Sequence, residues 1–210
     1  MKKRYISSAL FLVLLALSSF ACSIFVGGPD YPAQTVPASA DELQAMKTQI
    51  EEALLAGAES GIVALQITES QLTSYLAQKM QESQSPLFAD PQVLLRSGQM
   101  QVYGKFNRGW FTANMLVVMN VSVDPAANQP KIEVASADFG PFPAPEGFNA
   151  AVSAALGEAF TGSLGPVAVG FRLESIAIAD GVMTLTAASN SRKALYPTCL
   201  AYRIYSARAA

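Results

Sequence analysis

Two spatial periods alternate along this chain. Between Asp41 and Ala58, the residues Leu43, Met46, Ile50, Leu54 and Gly57 recur at three- and four-residue intervals. Glu42, Gln49, Glu51 and Glu52 fall between them. That spacing predicts a helix with one apolar stripe, capped by Ser39 or Asp41. Gly61 ends it and releases a short strand, Ile62–Ile67. Thr68 and Gln71 then have capping-box spacing, each positioned to satisfy a backbone N–H near the other. They open a second helix whose stripe is Leu72, Tyr75, Leu76 and Met80 and which ends before Ser85-Pro86.

The period then falls to two. Val93 and Leu95 alternate up to Ser97-Gly98, and Met100 and Val102 alternate beyond it. A two-residue loop pairs Leu95 with Met100 and Val93 with Val102, giving one apolar face. A long strand over 110–123 puts Met115, Val117, Met119, Val121 and Val123 on one side. Another strand covers 132–139. After the Pro-rich corner 140–145, Phe148, Val152, Leu156 and Phe160 mark a third helix over 146–163, apolar on nearly every side. Asp180-Gly181 is a type I′ turn signal that pairs Ile178 with Met183 and Ile176 with Leu185. Phe171 and Leu173 have the opposite parity to Ile176 and Ile178, which predicts a β-bulge at Glu174-Ser175. The element order is α+β with an antiparallel sheet.

The amino-terminal segment has a different character. Lys2, Lys3 and Arg4 precede the apolar run 6–20, which is shorter than the ~20 residues that span a bilayer. Ser19 and Ala21 suit cleavage before Cys22, so residues 1–21 read as a signal peptide. Cys22 reads as a lipid-attachment residue, which places the protein outside the cell, anchored to the outer face of the bacterial cytoplasmic membrane. Plain secretion, an uncleaved anchor and a Cys22–Cys199 disulfide are the alternatives. Residues 22–40 are rich in Gly and Pro and carry one charge, Asp30, which reads as a flexible tether. The folded domain is expected over 41–190. A tail over 191–210 carries Arg192, Lys193, Arg203 and Arg208 with Tyr196, Tyr202 and Tyr205, a second candidate membrane contact.

Composition narrows the function. Without Lys2, Lys3 and Arg4, 11 basic residues face 16 acidic ones, which argues against a nucleic-acid partner. Hydrophobic residues make up 51% of the chain and charged residues only 14%. Such a chain builds a large core or encloses an apolar space. The absence of histidine removes Ser-His-Asp catalysis and His-ligated metal. Glu69 reads as first-turn helix electrostatics. Asp138 and Glu146 flank the Pro-rich corner without a catalytic partner. No enzyme activity, cofactor or metal is expected. Arg108 and Trp110 read as a hairpin tip, with headgroup contact as the alternative.

Four segments, in order, carry a resemblance: "VALQITESQLTSYLAQ", "SGQMQVYGKF", "IEVASADFGPFPAPEGFNAAVSAALGEAF" and "LESIAIADGVMTLTA". Together they resemble small bacterial envelope lipoproteins related to the tubular lipid-binding (TULIP) superfamily. The resemblance implies a strongly curved antiparallel sheet, meander plus carboxy-terminal hairpin, wrapped around a long helix. It also implies a lipid or other apolar ligand held between them, without chemistry. The chain is long enough for one wrap rather than two, which implies a small pocket or a multimer. The expected cavity lining is Met100, Met115, Val117, Met119, Val121, Phe148, Val152, Leu156, Phe160, Ile176, Ile178 and Met183. A plain packed core is the alternative for the same residues.

Overall fold

The first helix forms where its stripe and caps agree. It is α1, Ala40–Ser60, with Ser39 Oγ accepting the Glu42 N–H at 3.1 Å and Gly61 closing the other end at φ 78°. The described part of the computed structural model comprises residues 23–82, 88–143, 147–148, 150 and 170–189. α2, Glu69–Glu82, opens on the expected capping box. The Thr68 N–H donates to Gln71 Oε1 at 3.0 Å, and the Gln71 N–H donates to Thr68 Oγ1 at 3.3 Å. Among the described residues these are the two helices. The helix expected over 146–163, and with it the claim that the sheet wraps a long helix, lies outside them except for Gly147, Phe148 and Ala150.

Eight strands complete the described fold: β1 (Ile24–Phe25), β2 (Ile62–Thr68), β3 (Ala89–Arg96), β4 (Gln99–Arg108), β5 (Phe111–Asp124), β6 (Gln129–Asp138), β7 (Phe171–Ala179) and β8 (Val182–Ser189). The fold is α+β and mostly strand, with a strongly curled mixed sheet that forms a half-barrel. In it β4 and β6 flank β5, and β3 lies at the outer edge of β4. β1 runs parallel to the first residues of β5, on the edge that β6 leaves uncovered.

The hairpins have the expected registers. Val93 faces Val102 and Leu95 faces Met100 across Ser97-Gly98, both with positive φ. Ile176 faces Leu185 and Ile178 faces Met183 across Asp180-Gly181. The register shifts between Leu173 and Ser175, where the parity change demands an extra residue. One expectation is corrected. The carboxy-terminal hairpin does not extend the meander but forms a second sheet, ordered β2–β8–β7. The reason is that β2 offers a matching apolar alternation, with Leu65 opposite Leu185 and Ile67 opposite Met183.

The apolar faces of both sheets meet in one core with Leu43 and Met46 of α1 and Leu72 and Leu76 of α2. Leu95, Met115, Met119 and Met183 have no solvent exposure. The Asn128 side chain ties the β5–β6 turn to the other sheet. Its Nδ2 donates to the Phe171 carbonyl at 3.0 Å, and its Oδ1 accepts the Leu173 N–H at 2.8 Å. This side chain imitates a strand neighbour for β7.

β3 would be an open edge, a template for unwanted pairing. α2 closes it. The Val93 N–H donates to Thr73 Oγ1 at 3.0 Å, and the Leu95 N–H donates to Glu69 Oε1 at 2.6 Å. Thr73 and Glu69 are four residues apart and therefore share one helix face. Pro91, the next outward position by strand alternation, has no N–H to satisfy. Glu69 is also held by the Arg96 guanidinium, so its carboxylate serves the edge as well as the helix start.

Candidate functional site

The segment 23–39, read from composition as a flexible tether, is laid along the domain as a strap. The Asn114 N–H donates to the Gly27 carbonyl at 2.9 Å, and Asn114 Nδ2 donates to the Pro29 carbonyl at 3.1 Å. Gly28 sits at φ 121°, and a Cβ there would lie 2.3 Å from the Asn114 carbonyl oxygen. Only glycine permits that approach. Further along, the Tyr31 hydroxyl donates to the Asp90 carbonyl, and the Tyr31 ring meets Tyr103 edge-on at 6.2 Å. The Val36 N–H donates to Gln92 Oε1 at 2.6 Å, and the Ser39 N–H donates to Ser74 Oγ at 3.0 Å. A proline-rich chain with few donors is thus fastened by backbone and side-chain groups of the sheet and of α2, which composition does not reveal.

Between the strap, the last turns of α2 and the start of β3 lies a groove of about 680 Å³. Tyr31, Val36, Ala77, Met80 and Phe88 give it apolar walls, and Lys105 stands at its edge with Nζ 2.6 Å from Asp90 Oδ2. Asp90 has a positive φ of 49° beside the register shift between Ala89 and Gln92. This irregularity carries β3 away from regular pairing where the groove begins. Burial, reinforced by the negative charge of Asp90, pushes the Tyr31 phenol up to about 12. At neutral pH Tyr31 is therefore a neutral donor. Such a groove suits a ligand with an apolar body and a polar end. Among the described residues there is no group of His, Cys, Asp and Glu that would hold a metal.

Nine of the twelve residues expected to line a cavity fall among the described residues. Met100, Met115, Val117, Met119 and Met183 are buried together in the core, and Val121, Ile176 and Ile178 pack against it half-buried. Phe148 is buried edge-on against Phe139, with ring centroids 4.6 Å apart. None of these eight side chains and Phe148 lines the groove. Val152, Leu156, Phe160, Cys22, Cys199 and the tail 191–210 lie outside the described residues. The groove residues Tyr31, Gln92 and Lys105 escaped the sequence reading. The one available signal was Pro91 inside an alternating strand, which marks an edge where something else can lie.

Among the described residues no helix is long and apolar enough to cross a membrane. No family model, curated protein or solved structure matches the chain.

Proposed function

We propose that the protein is a membrane-anchored envelope protein that binds an apolar or amphipathic small molecule, a lipid among them, without catalysing a reaction on it. The observation that carries this reading is the 680 Å³ groove, walled by apolar side chains and edged by the Lys105–Asp90 pair. Its volume falls within the roughly 300–1,000 Å³ of small-molecule sites, and its mixture of apolar walls with few polar groups is theirs as well. The signal-like segment 1–21, followed by Cys22, and the resemblance to TULIP-related lipoproteins support the same reading. An anionic head group would find the Lys105 ammonium, and a chain would lie against Met80 and Phe88.

The test is binding of a fluorescent fatty acid to the full chain and to Ala77→Trp, which fills the groove from α2. The wild-type protein should saturate with the probe. The variant should lose binding while its circular dichroism and melting stay unchanged. A second reading, a scaffold with a dry core, is favoured by the complete burial of Leu95, Met115, Met119 and Met183. It predicts no saturable probe binding to either protein.

A further inference from the structure

Scattered exposed apolar residues are ordinary on a protein surface, whereas a contiguous group of them carries information. Ile24, Phe25, Trp110 and Phe111 are 56%, 60%, 53% and 42% exposed. They come from two segments far apart in the chain, joined by β1–β5 pairing beside the β4–β5 turn. Strand alternation turns Ile24 and Phe111 to one face and Phe25 to the other, so the group surrounds this tip of the sheet rather than covering one face. The Ile24 N–H donates to the Trp110 carbonyl at 2.7 Å, the Val26 N–H donates to the Thr112 carbonyl at 2.9 Å, and Ile24 is in register with Phe111. Phe142 continues the group, its ring 6.5 Å from that of Phe111.

We infer that this surface docks onto a lipid bilayer, seating the domain on the leaflet that holds the amino-terminal anchor. The inference rests on the anchoring reading above. What argues for a bilayer as the occupant is the chain that leads into the patch. Cys22 precedes Ile24 by two residues, a reach of at most about 7 Å. Because residues 24–39 are fastened to the domain, no long leash separates anchor and fold. An acyl chain on Cys22, or the apolar run 6–20 if it is retained, enters the membrane beside these four side chains. Tryptophan favours the membrane interface. Arg108 is in register with Phe111 where β4 ends beside the patch. Lys105 of the groove is three residues from Arg108 along β4, about 10 Å. The bilayer is thus the nearest reservoir of ligand for that groove.

Trp110 is the one tryptophan in the chain, so its fluorescence reports on this patch alone. The full chain is reconstituted into vesicles of phosphatidylethanolamine and phosphatidylglycerol and followed by flotation, emission wavelength and acrylamide quenching. The expected result is flotation with a blue shift and loss of quenching. Replacing Ile24 and Phe25 together by serine should restore quenching while the protein still floats. If the wild-type protein floats with Trp110 fully quenchable, the docking surface is overturned and the anchor stands. If it does not float, the anchoring reading fails and the docking proposal falls with it. A blue shift that needs no vesicles and grows with protein concentration assigns the patch to a second copy of the chain and also overturns the proposal.

Discussion

Two side chains do work that their neighbours cannot take over. Thr73 is fully buried and accepts the Val93 N–H, so Thr73→Val keeps the shape and orphans a buried donor. Leaving such a group unpaired costs about 1–3 kcal/mol. Urea denaturation should show a loss of that size with an unchanged slope. Tyr31 makes a prediction about pH. Its phenol ionises near 10 in an unfolded chain and at about 12 here, raised first by burial and then by Asp90. The folded state therefore holds its proton longer. The stabilising contribution is complete below pH 10 and is lost as pH rises from 10 to 12. Proteolysis within the strap should accelerate over that window, and Tyr31→Phe should remove this pH dependence.

At the scale of elements, α1 lies so close to β2 that Gly57 has no room for a methyl group. A Cβ there would be 2.3 Å from Val63 Cγ2, on a β-branched side chain that has little freedom to retreat. Gly57→Ala would gain about 1 kcal/mol of helix propensity in an open site. Here overpacking, typically about 1–3 kcal/mol, should outweigh it. Thermal melts should show a destabilised single variant. The double variant with Val63→Ala should lose less than the sum of its parts. What the sequence disclosed at this scale was local. The capping box, both two-residue hairpins and the bulge before Ser175 were legible because parity and turn chemistry act between near neighbours. The pairing of β2 with β8 joins residues more than a hundred positions apart, and several strands offered an equally apolar face. The strap looked like a linker because its bonds run to backbone and side-chain groups of elements far away in the chain. Thr73 and Glu69 were visible as helix residues, but their service to the edge of β3 depends on where α2 packs.

For the molecule as a whole, the half-barrel and the smaller sheet enclose a core of leucine, methionine and valine, and the groove lies outside it under the strap. The apolar surplus noted in the sequence is thus divided. Much of it is buried in the core, part walls the groove, and part is exposed at Ile24 and Trp110. On the proposed function the core does not depend on a ligand, so an emptied protein should stay folded and melt nearly unchanged. The most direct test of ligand binding is native mass spectrometry of the full chain, extracted from membranes in mild detergent. The proposed function predicts a second species heavier by one lipid mass, absent from Ala77→Trp. A wild-type protein found only at the mass of its own chain and anchor would contradict it.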